Sequence, residues 1–336
     1  MRAKNLRIAI MALALSPSAP TNPVAAQVPA ERPANFVRVK LGAFVVTVLS
    51  DGTTSIPFDE LLMGISPQKI KQVFGEAGEK PDRSTSINAF LIDTGERRIL
   101  IDTGAGTLFG KCCGRLPETL ASAGYEPDQI DAVLLTHVHG DHSGGLVNQG
   151  KRVFPNAEIY LDKVESDFWM SDVERDHAEA RHKKMFKEGR AALAPYQAAG
   201  KVRLFRGRTQ LFPGITAIPA PGHTPGHSFY EIESEGHVLR VVGDIVHAEE
   251  VQLTKPAATI TYDINPAQAA KTRKTALAEL ARSHQLVAAD HISFPGLGHF
   301  VKTSDGYRWA ALPYDAGVEQ VGKRSPLLIF CGIFDQ

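Results

Sequence analysis

Cysteine is scarce in this chain: Cys112, Cys113 and Cys331 are the whole complement. Three thiols, two of them adjacent, cannot build a disulfide framework, because neighbouring cysteines bridge only through a strained peptide. They read as free or partly buried thiols, with a pocket-rim or metal-binding thiol as the sharper alternative. No cysteine sits just after the N-terminal apolar run, which argues against a lipid anchor. That run is too short to span a bilayer. Nor is there an excess of one charge, since 37 Lys+Arg stand against 37 Asp+Glu. A nucleic-acid binder carries a basic footprint that this balance lacks.

What is present is a chain of 336 residues, 43% of them apolar. That is enough to bury a sizeable core and too much polarity for a membrane protein. Its first 26 residues read as a secretory signal. Arg2, Lys4 and Arg7 supply a basic start, "IAIMALAL" (8–15) an apolar stretch, and "VAA" (24–26) a small-residue cleavage site. Removing them takes away three bases and no acids, leaving a slightly acidic remainder. The expectation is a periplasmic or secreted protein acting on small molecules, with 27–35 as a flexible Pro/Ala-rich leader.

Beyond the leader, "FVRVKLGAFVVTVLSDG" (36–52) alternates and ends in Asp-Gly, predicting two strands or a hairpin with a turn. "INAFLIDTGERRILIDTG" (87–104) predicts two more strands about a Gly-containing turn. "PETLASAG" (117–124) predicts a short helix closed by Gly124, and "IDAVLLT" (130–136) a buried strand. Residues 163–200 carry charged, helical spacing with Phe168, Trp169, Met185, Phe186 and Leu193 as apolar anchors. Strand-like runs return at 202–206, 215–219, 228–233 and 238–243. The segment 266–282 then reads as an amphipathic helix with Pro266 in its first turn, and 286–290 as a last buried strand. Two β-sheets with helices outside are implied, and no linker divides 36–320. The apolar "SPLLIFCGIF" (325–334) reads as a packing or dimer-contact strand.

The chemistry concentrates in "LLTHVHGDHSGG" (134–145), directly after a predicted strand. On extended backbone His137 and His139, two apart, project to one side. Asp141 and His142 follow within one turn. Burying four such side chains without a cation is costly, because each needs a partner. Imidazole and carboxylate without thiolate suit zinc, manganese, iron or cobalt. Four ligands on one loop cannot close around two ions, so further ones are sought downstream. "PAPGHTPGHSFY" (219–230) offers His223 or His227, "RVVGDIVHA" (240–248) offers Asp244, and "VAADHISFPGLGH" (287–299) offers Asp290 and His291. Each of these follows or adjoins a strand.

In order and spacing, "HVHGDH", "GHTPGH", "VVGDI" and the strand-end His291 resemble the metallo-β-lactamase superfamily of hydrolases. The likeness continues in "GAFVVTVLSDGT" (42–53), "INAFLIDTG", "ILIDTGAG", "ESDFWMS" (165–171), "FPGLGH" (294–299) and "GYRW" (306–309). It points to the methyl parathion hydrolase branch and its lactonase relatives. The resemblance implies an α+β fold, a four-layer αββα sandwich formed by a single domain over 36–336. It implies two divalent metal ions, zinc foremost. His137, His139 and His223 would hold one ion, Asp141, His142 and His291 the other, with Asp244 bridging. His227 would pack or support, and Asp102 would orient the site through hydrogen bonds. A homodimer is implied as well.

Two cations ~3.5–4 Å apart can share a water and lower its pKa towards ~7, yielding hydroxide to attack a carbonyl or phosphoryl centre. Asp141 is the candidate proton donor to the leaving group. Phe109, Trp169 and Phe186 fall where the resembling branch lines its pocket with aromatics, although Trp169 fits a helix core equally well. An aromatic mouth favours neutral, aryl-bearing substrates. His247 lies three residues after Asp244, where lactonases carry a polar donor and phosphotriester hydrolases an apolar residue. The expected activity is therefore lactone or aryl-ester hydrolysis with promiscuous phosphotriester cleavage. Rivals are a phosphotriesterase proper, a thioester hydrolase, a β-lactamase, a mononuclear-iron dioxygenase and a catalytically silent binding protein. No nucleic acid or membrane partner is expected.

Overall fold

The computed structural model describes residues 35–313. The expected signal segment, nearly all of the leader, Cys331 and the 325–334 stretch lie outside the described residues. Among the described residues, two seven-stranded sheets face each other. The first sheet holds β1 (Phe36–Leu41), β2 (Phe44–Pro57), β3 (Asp82–Asp93), β4 (Arg98–Ile101), β5 (Ala132–Leu134), β6 (Glu158–Asp162) and β7 (Val202–Phe205), in that spatial order. Its first four strands are antiparallel neighbours, and β4, β5, β6 and β7 run parallel. The second holds β8 (Thr209–Phe212), β9 (Ile215–Pro219), β10 (Ser228–Ser234), β11 (His237–Val241), β12 (Leu286–Ala288), β13 (Leu297–Thr303) and β14 (Gly306–Ala311), again in chain order. Here only β11 and β12 pair in parallel.

Period-two geometry explains why these strands read as continuous apolar runs. Phe90, Ile92, Ile99, Ile101 and Leu134 point inward and meet Ala217, Tyr230, Ile232 and Val241 of the facing sheet. The intervening Ala89, Leu91, Leu100 and Val133 point outward, beneath α2 (Leu116–Ser122), α3 (Lys163–Trp169) and α5 (Ala180–Ala198). On the far side, Ala276, Leu277 and Leu280 of α6 (Pro266–Ser283) cover Val287 and Phe300. The result is helix, sheet, sheet, helix: a metallo-β-lactamase-type α+β sandwich, as expected. No helix among the described residues is long and apolar enough to cross a membrane.

The first hairpin turns at Gly42–Ala43 rather than at Asp51-Gly52. Instead β2 continues to Pro57 through a bulge at Asp51. The buried Asp51 carboxylate accepts hydrogen bonds from the backbone N–H groups of Ala105, Gly114 and Leu116, each at 2.9 Å. It therefore pins the loop that follows β4. Cys112 and Cys113 lie in this loop as free thiols, the first half-buried and the second buried.

Parallel pairing fixes the working end. The carboxyl ends of β4 and β5 open on one edge of the sandwich, and those of β11 and β12 open on the same edge. Crevices at such strand ends are where α/β sheets place ligands.

Candidate metal centre

The ligand-bearing loop leaves β5 through Thr136, which Asp102 holds from the end of β4. Asp102 accepts from Thr136 N–H at 2.8 Å, from Thr136 Oγ1 at 2.6 Å and from His142 Nδ1 at 2.8 Å. To do so it takes a left-handed backbone with φ of 57°. For a residue with a Cβ that conformation costs about 1–3 kcal/mol, and it persists only where surrounding contacts enforce it.

Asp102 is one of three acceptors that each fix an imidazole by its Nδ1. His223 Nδ1 donates to Asp263 at 2.8 Å, and His291 Nδ1 donates to the carbonyl of Ser86 at 2.9 Å. Asp263 and the Ser86 carbonyl can only accept, so the Nε2 atoms of these rings are left to face inward. All three Nε2 atoms converge on Asp244, which stands just beyond β11. His142 and His291 approach its Oδ1 at 3.0 and 3.1 Å, and His223 approaches its Oδ2 at 3.1 Å. His137 Nε2 lies 3.6 Å from Oδ2. Four groups result, each with its ligand atoms within 4.8 Å of one another: two that hold the seven expected ligands, His137, His139, His223 and Asp244 and then Asp141, His142 and His291, and two that overlap them, Asp244, His247 and His291 and then Asp102, His142 and Asp290.

These residues fit divalent metal. Nε2 of His137 and Nε2 of His139 are buried and have no hydrogen-bond partner among the described residues. Imidazole nitrogens also crowd one another, His223 Nε2 with His139 Nδ1 at 2.9 Å and His142 Nε2 with His291 Nε2 at 3.3 Å. Unpaired nitrogens in a dry site are expensive, and a nitrogen–oxygen donor set of this kind suits zinc-like cations.

Electrostatics agree. Burial, reinforced by neighbouring imidazoles, drives the His137 and His139 rings well below the ordinary histidine range. They are neutral, as ligands must be. Burial also opposes charge on His223 and His291, but the Asp244 carboxylate outweighs it and raises both to about 9. Asp244 itself, despite burial, is held well below its usual value by the surrounding imidazoles. The Asp244 carboxylate therefore favours positive charge at this point of the interior.

Two supports were not among the expected site residues. Glu165, near the start of α3, is fully buried and accepts from Val138 N–H at 2.9 Å, Trp169 Nε1 at 2.7 Å, Thr224 Oγ1 at 2.7 Å and Gly226 N–H at 2.9 Å. One carboxylate thus clamps the His137–His139 segment to the loop of His223. The signal for it was a carboxylate four residues before Trp169, on the same apolar helix face. Asp263 is the other. His227 donates through Nδ1 to the Ala220 carbonyl, and its Nε2 accepts the N–H of Asp244 at 3.0 Å. It supports the backbone of Asp244. Gly243 makes this possible: it has φ of 51°, and a Cβ there would lie 2.3 Å from His227 Nε2.

The aromatic expectations need correction. Trp169 and Phe186 are both 0% exposed, packed with Phe168 beneath the first sheet. Neither ring is open to a substrate; Trp169 instead backs His139 edge-on at 5.4 Å. Their apolar spacing on helices was the core signal, and it prevailed. Phe109 is half-buried and packs against Ile87, Ala105 and Cys113. His247 does join the centre, but its Nε2 is directed to Asp244 Oδ2 at 3.0 Å rather than standing free. Asp290, buried with its nearer oxygen 3.8 Å from His142 Nδ1, groups with Asp102 and His142 rather than with the seven expected ligands.

Sandwich and centre together define a class, the metal-dependent hydrolases of the Metallo-beta-lactamase superfamily. The chain belongs to that superfamily, whose family model matches residues 83–291. It is similar in structure to the hydrolase AbOPH of the beta lactamase superfamily, with a TM-score of 0.81, 33% identity and coverage of 85% of this chain and 100% of that one. AidC, a dizinc quorum-quenching lactonase in complex with a product N-hexnoyl-L-homoserine, superposes with a TM-score of 0.78 at 27% identity, over 84% of this chain and 98% of that one. An N-acyl homoserine lactonase of Bacillus thuringiensis is 26% identical over 174 residues, 46% of this chain and 61% of that protein. The chain spans about half the length of the curated relatives it matches, 43% and 61% for two of them.

Replacing the Glu165 clamp is expected to damage the centre from outside. Glu165→Gln turns an NH2 group towards hydrogen-bond donors and should lower stability by about 2–4 kcal/mol in urea denaturation, with weaker metal retention on dialysis. An unchanged midpoint would show that the clamp is dispensable. Because His223 and His291 are raised to about 9, metal uptake at neutral pH must displace protons, and affinity should rise as pH is raised from 7 towards 9. Titration calorimetry in buffers of different ionisation enthalpy counts those protons; zero release would contradict this electrostatic picture.

Proposed function

We propose that the protein is a dinuclear metal-dependent hydrolase of lactones and aryl esters, with phosphotriester cleavage as a weaker side activity. In this reading it stands near the methyl parathion hydrolase branch and its lactonase relatives. The observation that carries it is Asp244, whose two oxygens face the histidines of both ligand groups. His137, His139 and His223 would hold one divalent ion, and Asp141, His142 and His291 the second, with Asp244 between them. When bound, such a pair supplies Lewis acidity to the substrate oxygen and acidifies the attacking water. No serine or cysteine nucleophile is required. The dizinc lactonase among the similar structures supports both the metal and the substrate class.

The chain's own groups divide the remaining work. Asp141 is the most exposed of the seven, its side chain 20% accessible, and its Oδ2 lies 3.6 Å from His291 Nε2. That exposure supports Asp141 as the donor of a proton to the departing oxygen. His247, its Nε2 directed to Asp244 Oδ2 at 3.0 Å, narrows the space beside that carboxylate to what a planar carbonyl can use. A tetrahedral phosphotriester needs more room there. The native form is taken to be the exported chain after residue 26, acting as a homodimer.

A panel of aryl lactones, acyl-homoserine lactones, aryl esters and a methyl phosphotriester, compared by kcat/KM on metal-loaded protein, tests the substrate order. Lactones or aryl esters should lead, and a phosphotriester in first place would overturn the order. His247→Leu should raise the phosphotriester-to-lactone ratio by about tenfold, since one contact in a pocket is worth roughly that factor; a constant ratio removes His247 from the argument. Asp141→Asn with both metals retained should lower kcat by about a hundredfold on poor leaving groups and far less on good ones. Uniform loss across leaving groups would exclude proton transfer by Asp141.

A further inference from the structure

Cys112 and Cys113 take no part in the metal centre, yet the loop that carries them is seated on it. Thr103 N–H donates to the His142 carbonyl at 2.8 Å, and Gly145 N–H donates back to the Gly104 carbonyl at 3.0 Å. The Leu108 side chain lies over the same turn: a Cβ added at Gly140 or Gly144 would stand 3.1 or 2.9 Å from its Cδ1. On the other flank Cys113 packs with Ile87 and Ala105, and Phe109 and Cys112 close the cluster. Ile87 follows Ser86, whose carbonyl fixes His291. The loop of the two thiols therefore touches the supports of His142 and of His291.

The two thiols are unequal. Cys112 is half-buried beside the exposed Lys111, and its Sγ donates to the Phe109 carbonyl at 3.3 Å. Cys113 is 7% exposed and reaches the Thr53 carbonyl only at 3.9 Å. Burial, then the neighbouring Cys112 thiol, then the Asp51 and Asp141 carboxylates push the Cys113 thiol up. It stays protonated and inert while its neighbour is intact, since the thiolate is the nucleophile. One of those causes, the Cys112 thiol, vanishes once Cys112 is modified. Downstream of the pair, Asp51 pins the N–H groups of Gly114 and Leu116, so a change at the pair is passed upstream, towards Phe109 and Leu108. A bond between neighbouring cysteines closes a small ring through a strained peptide, and strained disulfides are the ones that reopen readily.

We propose that Cys112 and Cys113 form a reversible redox site, closed to a vicinal disulfide by low-molecular-weight disulfides, and that closing it displaces the Leu108–Phe109 stretch lying against the metal centre. The Cys112 thiolate attacks one sulfur of the incoming disulfide, and the other half leaves as a thiolate. The Cys113 thiolate then attacks Cys112 Sγ, the second half leaves, and the new S–S bond joins the pair. Both cysteine protons end on the two released thiols; the chain loses two electrons and the oxidant gains them. Forming the bond draws Cys112 Sγ away from the Phe109 carbonyl. A chain exported as proposed above would meet such oxidants, because disulfides persist in oxidising compartments. The effect on turnover rests on the hydrolase reading; the bridge itself does not.

The test treats the metal-loaded full chain with oxidised glutathione, then alkylates it and digests it with trypsin. Cleavage after Lys111 and Arg115 isolates the peptide 112–115, which holds both thiols. That peptide should emerge unalkylated and lighter by two hydrogen atoms, and reduced glutathione should restore both alkylation sites. Cys112→Ser, whose hydroxyl can still donate to the Phe109 carbonyl, should keep the parent's rate and resist the oxidant. Cys113→Ala should instead retain one glutathione on Cys112. In the parent, kcat/KM on a lactone or aryl ester should fall by about tenfold on oxidation and recover on reduction, with bound metal unchanged, because small displacements at a reacting site are costly. Two alkylated thiols after oxidation, a lasting glutathione adduct in the parent, a bridge to Cys331 or closure without a change in rate would each overturn the proposal. So would a rate loss that tracks metal release. If no ester is turned over before oxidation, the hydrolase reading fails, and hydrogen exchange over 104–116 replaces the rate: altered exchange in the oxidised form supports the proposal, and identical exchange refutes it.

Discussion

One carboxylate, that of Asp244, sits within 3.0 to 3.6 Å of ring nitrogens from five histidines, His137, His142, His223, His247 and His291. Few arrangements concentrate so much unlike charge and lone-pair density in a dry interior. Nearly every support in the neighbourhood serves to keep it there. His227 and Gly243 hold its backbone, while Asp102, Asp263 and the Ser86 carbonyl turn three rings towards its oxygens. The strained backbone at Asp102 and the buried charge of Glu165 are costs carried elsewhere to keep that geometry. Without a buried centre of compensating attraction, such features would be selected against.

Much of this was legible in the chain's linear pattern, for identifiable reasons. His137, His139, Asp141 and His142 fall within six consecutive residues, so local geometry alone brings them together. His223, Asp244 and His291 each adjoin the end of a buried strand, and the parallel pairing of β11 with β12 carries two of them to the same edge. The sandwich itself was readable from strands with no polar face, which must be covered on both sides.

What stayed hidden depended on tertiary contact. Glu165 looks like a surface acid until α3 is laid against the His223 loop. Asp263 sits in a turn with no periodicity to mark it. Asp51-Gly52 imitates a hairpin turn because Asp-Gly commonly makes one, yet three backbone N–H groups drawn from a distant loop convert it to a bulge. Trp169 and Phe186 illustrate the opposite error. Their helical spacing already spoke for the core, and resemblance to an aromatic-lined pocket spoke against it. Burial resolved the conflict in favour of spacing.

The provenance of the ligands carries a mechanical meaning. His137, His139, Asp141 and His142 belong to the first sheet, whereas His223, Asp244 and His291 belong to the second, so any bound cation is a rivet driven through both halves of the sandwich. Ligand that binds the folded state alone adds to its stability by mass action. Starvation for metal would then be felt as looseness between the layers, and empty copies would be the first that a protease could open.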